Sequence, residues 1–304
     1  MIRPVALALL AIAFATLPAC PPVEEEATDA GPAGDGGAPP EPKGPLNKGL
    51  QLTVCRGGGG APDVSGTWAF LLETASAIEV DGRAPQAEIV ARVGVAQLCQ
   101  QVQQVRGRFL VCDLAQSPVL DRSNTCAAQR PSRNLVEALP VVEVDGAVDR
   151  LGPAATLFFP GWRESWGLRA GHRIEDGATT VIDALVVDED ADGDPGVTLR
   201  GDGDVPTVAW AVRQTRADLS VEVDFRRLDG FTRAATTEVI VGGPAARVLA
   251  GRTRDVADGA LTMVRVDGAG GTAQVDANGD GQITCAELER VRALLPAPTA
   301  VGCR

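Results

Sequence analysis

Between Asp276 and Glu287 the chain reads Asp-Ala-Asn-Gly-Asp-Gly-Gln-Ile-Thr-Cys-Ala-Glu, which sets side-chain oxygens at Asp276, Asn278 and Asp280 on alternate residues. Gly281 follows them, where the chain must turn back sharply. Thr284 and Glu287 then add a hydroxyl and a third carboxylate a few residues later. Oxygen donors crowded in this way suit a hard cation, because the carboxylates repel one another until a positive charge neutralises them. A second acidic stretch, Asp188-Glu-Asp-Ala-Asp-Gly-Asp-Pro-Gly196, repeats the alternation with Asp188, Asp190 and Asp192 ahead of Gly193, and adds Asp194.

The first loop resembles the EF-hand calcium loop at each diagnostic position. Asp276, Asn278 and Asp280 fill the first, third and fifth places, Gly281 the sixth, and the carbonyl of Gln282 the seventh. Thr284 falls at the ninth and the bidentate Glu287 at the twelfth. Ile283 takes the apolar eighth place, which in paired EF-hands bridges two loops. Leu288, Val291, Leu294 and Leu295 recur at helical spacing before Pro296, which predicts an exit helix of about three turns. Upstream, residues 266–275 are too glycine-rich for an entering helix. The resemblance is therefore to a solitary, dockerin-like half EF-hand, and it implies Ca²⁺ as the cofactor, bound in the micromolar-to-millimolar range. The second stretch resembles the Asp-x-Asp-x-Asp-Gly core shared by EF-hand loops and thrombospondin type 3 repeats, which implies a second candidate metal set of Asp188, Asp190, Asp192 and Asp194. It departs from the pattern afterwards: Leu199 stands where the bidentate glutamate belongs, so Asp202 or Asp204 would have to supply the missing oxygens.

At the other end, Met1-Ile-Arg3 precedes an apolar run, residues 5–17, that is too short to span a bilayer and has the form of a secretion signal. Leu17-Pro-Ala-Cys20 resembles a bacterial lipobox, with Pro18 unusual in it. That resemblance implies removal of residues 1–19, a lipid on Cys20, and a place in the cell envelope as an outer-membrane or cell-surface lipoprotein; ordinary secretion after cleavage near Ala19 is the alternative. Setting Cys20 aside leaves Cys55, Cys99, Cys112, Cys126, Cys285 and Cys303, an even set suited to disulfides outside the cytoplasm. Spacing alone does not choose among their pairings. Cys99 with Cys112 across a hairpin, Cys285 with Cys303, and Cys55 with Cys126 are one compatible set, at roughly 3 kcal/mol per bridge.

Residues 20–50 are rich in proline, glycine and glutamate and predict a disordered tether. Both lysines of the chain, Lys43 and Lys48, fall in it, which removes Schiff-base chemistry and a phosphate-cradling P-loop from the folded part. The formal charge of −12 argues against nucleic acid and anionic membrane surfaces, leaving the lipid anchor as the membrane contact. Residues 51–268 are then expected to form one β domain, and 269–304 the calcium loop with its helix.

The elements that must position these loops have period two. Leu219, Val221, Val223 and Phe225 alternate with polar residues, as do Val208, Trp210 and Val212, and the polar stretch 213–218 between them reads as a hairpin loop. Ile89-Ala91-Val93-Val95 and Ile182-Ala184-Val186 read as further strands, with shorter runs at 109–111, 141–143 and 237–241. Asp81-Gly82, Asp145-Gly146, Asp229-Gly230 and Asp267-Gly268 read as turns. The fold class is thus mainly β, an antiparallel barrel or sandwich with a C-terminal loop and short helix. Gly66-Thr-Trp68 resembles the Gly-x-Trp entry of calycin-type barrels, in which the tryptophan plugs the closed end.

Catalytic readings have little to stand on. His172 is the single histidine, no serine lies in a nucleophile motif, and no Cys-x₂-Cys pattern marks a zinc site. Gly57-Gly-Gly-Gly60 has neither a lysine nor a strand-to-helix setting. On a strand, Trp162-Arg-Glu-Ser-Trp166 would put two indoles and Glu164 on one face. The sequence therefore predicts a non-enzymatic, extracytoplasmic protein with structural calcium. The alternatives are a lipocalin-like carrier of small apolar ligands and a glycan-binding or glycan-hydrolysing surface protein acting through Glu164. A small molecule, a glycan or a protein remains open as the physiological ligand.

Overall fold

A strand of alternating side chains buries one row and presents the other, and strands can bury that row by closing on themselves. The computed structural model describes residues 46, 48–55, 62–79, 85–117, 119–120, 126–149, 154–203, 207–249, 252 and 254–299. In chain order the strands are β1 (Gly49–Gln51), β2 (Gly66–Ile78), β3 (Gln86–Gln101), β4 (Gln104–Gln116), β5 (Val119–Leu120), β6 (Cys126–Pro131), β7 (Val142–Asp149), β8 (Thr156–Trp166), β9 (Val197–Gly203), β10 (Thr207–Val223), β11 (Arg227–Gly242), β12 (Arg254–Arg265) and β13 (Gln282–Thr284). Short helices are α1 (Arg133–Ala138), α2 (Ala246–Leu249) and α3 (Cys285–Leu288).

Strands β2, β3, β4, β7, β8, β10, β11 and β12 pair antiparallel in that order, and β12 pairs back onto β2. The expected antiparallel β architecture is present, and it is a closed eight-stranded up-and-down barrel. The long β10 changes partner along its length: residues 207–211 pair with β9, and 213–222 with β8. β9 in turn carries β6 and β5 as an outlying flap. The ring is thinnest between β7 and β8, which share only the pairs Ala147–Phe158, Val148–Leu157 and Asp149–Thr156.

The lumen is filled in layers. At one end Trp68 is fully buried, its indole N–H donates to Val64 O, and the Arg265 guanidinium lies 5.4 Å over its ring and donates to Ser65 O. Gly66 is required there, because at φ +146° a Cβ would run into Arg265 and Asp267. Above the tryptophan, Phe70, Phe109 and Phe159 meet edge to face, with centroids 5.4 and 5.8 Å apart. Gly94, Gly107 and Gly146 are bare where those rings lie on the backbone. The space behind Trp68 in which an apolar ligand was expected under the carrier alternative thus holds aromatic side chains. A cavity of about 450 Å³ opens instead beside the β7–β8 seam, where Glu164 and Glu189 line it.

Toward the other end the lumen is ionic. Arg92 is paired with Glu164 at 2.8 Å under Trp162, whose ring it covers at 5.1 Å. Beyond it, Glu88, Arg213, Glu238 and Arg254 alternate in a four-membered ring of ion pairs: Arg213–Glu88 at 2.7 Å, Arg213–Glu238 at 2.8 Å, Arg254–Glu88 at 3.0 Å and Arg254–Glu238 at 2.6 Å. Each of these side chains is at most 5% exposed, and Gln116 donates a further bond to Glu88 at 2.7 Å. Burial raises the Glu88 pKa, but the two guanidinium groups outweigh it and hold the carboxyl down to about 2. Three arginines thus balance three glutamates inside the barrel.

Several sequence expectations are corrected by this arrangement. Residues 213–218 are not a hairpin loop but the middle of β10, in which Arg213, Gln214, Thr215 and Ala217 are buried, Arg213 facing the ion ring, while Asp218 stays exposed. Asp229-Gly230 and Asp145-Gly146 are not turns: both glycines lie inside strands, where Gly230 lets β11 approach Ser220 and Val221, and Gly146 lies under Phe159. Ile182-Ala184-Val186 forms a 3₁₀ turn at Asp183–Leu185 and a single bridge from Val186 to Leu168 rather than a strand. Asp81-Gly82 and Gly57–Gly60 lie outside the described residues.

On β2 and the middle of β3 the outward face is also buried, and on β4 it is partly covered, with Arg106 exposed. On β3 the apolar alternation Ala91, Val93, Val95 points away from the lumen and is covered by β1 and the C-terminal segment. Gln97 bonds Thr53 through both its amide groups, and Glu73 accepts from Thr299 N–H at 2.6 Å. β1 pairs with β13 and Leu46 is buried, so among the described residues the fold begins before residue 51. Leu46 and Leu50 are buried, and Lys48 Nζ donates to Val136 O at 2.5 Å.

Lys48 is therefore part of the folded body rather than of the tether, and burial lowers its pKa to about 8 although Glu164, Glu137 and Glu189 oppose the shift. Between pH 8 and its unfolded value the unfolded chain holds the extra proton, so stability should rise with pH across that window. With no tyrosine in the chain and Lys43 the only other lysine, the other groups that titrate in this window are the α-amino group and any free thiol, which the Lys48→Met variant keeps and so controls for. The expected gain is about 1–2 kcal/mol after allowing for solvent at the partly exposed ammonium. A thermal melt followed from pH 7.5 to 10.5 should climb by a few degrees in wild type and stay flat in Lys48→Met; identical profiles would refute the assignment.

Candidate metal centres

The C-terminal loop is built on its own amides. Asp276 accepts from Gly279 N–H at 2.8 Å and Gly281 N–H at 3.1 Å, Asn278 from Asp280 N–H at 3.0 Å, and Asp280 from Gln282 N–H at 2.7 Å. Gly279 and Gly281 sit at φ 71° and 76°, which closes the turn without steric cost. Glu287 is 6% exposed, and its carboxylate accepts from Ala277 N–H at 3.2 Å and Thr284 N–H at 2.9 Å. The Thr284 hydroxyl in turn accepts from the Glu287 N–H, so Thr284 and Glu287 form a capping box at the start of α3. Backbone amides thus gather Asp276, Asn278, Asp280, Gln282, Thr284 and Glu287 along one loop, but the carboxylate oxygens of Asp276, Asp280 and Glu287 do not converge within 4.8 Å of one another as those of the second acidic loop do.

The eighth-position residue finds a partner that the sequence did not disclose. Ile283 on β13 pairs with Leu50 on β1, a strand from the start of the folded body. Both residues are fully buried. The exit helix is shorter than predicted: α3 ends at Leu288, and the bonds Arg290 N–H to Glu287 O, Val291 N–H to Leu288 O and Leu295 N–H to Arg292 O continue it as 3₁₀ turns. The tighter repeat brings Leu288 and Val291 into line on the buried side.

Cys285, at the tenth loop position, is joined to Cys112 with Cα atoms 5.3 Å apart, and Cys55 is joined to Cys99 at 5.1 Å. These replace the Cys99–Cys112, Cys285–Cys303 and Cys55–Cys126 pairings. In the β3–β4 hairpin Cys99 faces Arg106, six residues from Cys112 along the strand and about 20 Å away, too far to bridge. A bulge at Cys112, between the pairs Gly94–Val111 and Val93–Asp113, turns it outward toward α3. Cys20 and Cys303 lie outside the described residues, and Cys126 is described only as backbone of β6.

The second acidic loop adopts a related turn. Asp188 accepts from Asp192 N–H at 3.2 Å and Gly193 N–H at 2.9 Å, and Asp192 from Asp194 N–H at 3.1 Å. Oxygens of Asp188, Asp190 and Asp192 lie within 4.8 Å of one another. Asp190 is 1% exposed and accepts, through Oδ2, from Ser132 Oγ at 2.8 Å and Thr198 N–H at 3.1 Å. Burial, with repulsion from Asp192, raises its pKa even against those bonds. Asp194 is half-buried, while the Asp202 side chain and all of Asp204 lie outside what is described. Sequence reading missed Ser132 and Thr198; Ser132 was legible as the N-cap of α1, whose Leu135 N–H it receives at 3.1 Å, but not as a partner of Asp190.

The remaining candidates are placed as follows. Trp162, Glu164 and Trp166 do share one face, but that face is the lumen, where both indoles are 1% exposed. Arg213 covers Trp166 at 5.0 Å, and Glu164 accepts the Trp166 indole N–H at 2.8 Å. His172 lies exposed in a turn. No protein-family model, curated protein or solved structure matches the chain.

Proposed function

We propose that this chain is an extracytoplasmic calcium-binding protein in which the ion is structural, held by Asp276, Asn278, Asp280, the Gln282 carbonyl, Thr284 and Glu287. The observation that carries the reading is the set of amide bonds that turns these side chains into one loop before any ion is added, with the twelfth-position carboxylate buried and oriented by its capping box. Binding would replace the mutual repulsion of three carboxylates by coordination and lock β13 and α3 onto the outer face of the barrel. The two disulfides favour an oxidising compartment, in keeping with the secretion signal and the lipobox-like Cys20. The calcium loop, clamped between β1 and the outer wall, serves the integrity of an envelope-anchored domain.

Calorimetric titration of the chelator-stripped full chain tests this directly. Wild type should bind calcium with micromolar-to-millimolar affinity and melt at a higher temperature when loaded, and Asp276→Ala should lose one equivalent while keeping its fold. Absence of heat and of stabilisation at millimolar calcium would refute the reading.

A further inference from the structure

We propose that the 188–194 loop is a second, independent divalent-cation site, of the hard, oxygen-ligated class to which calcium belongs. Three carboxylates converge there, with oxygens within 4.8 Å of one another. A cluster of acids alone would say little, but Asp190 is no surface residue. It is 1% exposed, its Oδ2 is fully used by Ser132 and Thr198, and its Oδ1 is enclosed without any partner among the described residues. Thr198, whose N–H Asp190 accepts, is also 1% exposed, and its hydroxyl has no partner among the described residues. An enclosed carboxylate oxygen and an enclosed hydroxyl left unpaired are costly unless a ligand completes them. The nearby guanidinium of Arg200 stands 3.9 Å from Asp192, not at Asp190.

The donors are oxygens throughout, which excludes the nitrogen- and sulfur-seeking metals. The irregular set suits Ca²⁺, with its flexible coordination, better than octahedral Mg²⁺. Its place in the fold indicates what it would do. Asp190 is bonded at once to the N-cap of α1 and to the second residue of β9, so an ion on it would join α1 to the flap at the point where β10 exchanges β9 for β8. None of these residues belongs to the 276–287 loop, so the two sites can fail separately.

Calcium titration of the full chain, with Asp276→Ala, Asp190→Asn and the double variant, separates them. The expected stoichiometries are two equivalents, one, one and none. One equivalent in wild type that disappears in Asp276→Ala and survives in Asp190→Asn overturns the second site alone. One equivalent lost in Asp190→Asn but kept in Asp276→Ala refutes the C-terminal loop and leaves the second site standing, and no binding in wild type overturns both. Melting curves guard against a folding artefact, since asparagine is isosteric and carries no charge. In chelator Asp190→Asn should melt above wild type, whereas at calcium about 100-fold over the Kd wild type should gain about 5 °C from this site and the variant nothing. A variant that melts below wild type in chelator and gains equally from calcium would make Asp190 a structural acceptor only and overturn the proposal.

Discussion

Glu88→Gln is expected to lower the stability of the barrel by about 3–5 kcal/mol, read as a fall in melting temperature of about 10 °C. Glu88 accepts from Arg213, Arg254 and Gln116 in a lumen where each of these residues is at most 5% exposed. Removing its charge leaves two enclosed guanidinium groups sharing the single carboxylate of Glu238. The compensating change identifies the cause. Glu88→Leu combined with Arg254→Met leaves Arg213 and Glu238 as one neutral pair and should recover most of the loss, because a whole ion pair replaced by apolar bulk costs little. The acid limb of the stability curve carries the same signature. With its folded pKa depressed to about 2, Glu88 contributes stability that is complete above its unfolded pKa and is lost as the pH falls through about 2. Glu88→Gln should therefore flatten the wild-type decline between pH 4.5 and 2. Equal melting temperatures for Glu88→Gln and wild type at neutral pH would show that the ion ring contributes nothing.

Opening the Cys112–Cys285 bridge should have an effect of similar size and a second, local one. The bridge closes a loop of 173 residues, so its removal by Cys112→Ser with Cys285→Ser should cost about 2–5 kcal/mol, near the upper end in the chain-entropy account. Cys285 also sits between Thr284 and Glu287, and the bridge is what ties that stretch to the bulge of β4. Without it the capping box is free to fray, and calcium affinity should fall about tenfold, an ordering cost of about 1.4 kcal/mol. Chemical denaturation measures the first effect and calorimetry the second. If affinity is unchanged in the double variant while stability drops, the β1–β13 pairing alone positions the loop.

What could be read directly was local. The donor order from Asp276 to Glu287, the turn at Gly281 and the alternation along β3 and β10 all depend on residues within a dozen positions of one another, and the structure carries them as local features. Ile283 was legible as an apolar residue within the loop, and its partner, Leu50 on β1, was not, because 233 positions separate the two in the chain. Misreadings came where polarity was taken to mean exposure. Residues 213–218 are polar, and so resemble a loop, yet Arg213 is neutralised by Glu88, 125 residues away, a pairing that exists only once the ring has closed. The cysteine pairing failed for the same reason, since hairpin proximity in sequence is overridden by strand register and by a bulge that re-aims one side chain. By itself the sequence determined the β class of the domain and the spacing of the oxygen donors in the C-terminal loop, because donor spacing and two-residue periodicity are properties of short segments. Only the tertiary structure decided that the barrel is closed, that its lumen is ionic and that the outer face of β2 and the middle of β3 is covered. Those facts depend on which distant segments meet, and burial energies and charge neutralisation act between residues that the linear order keeps far apart.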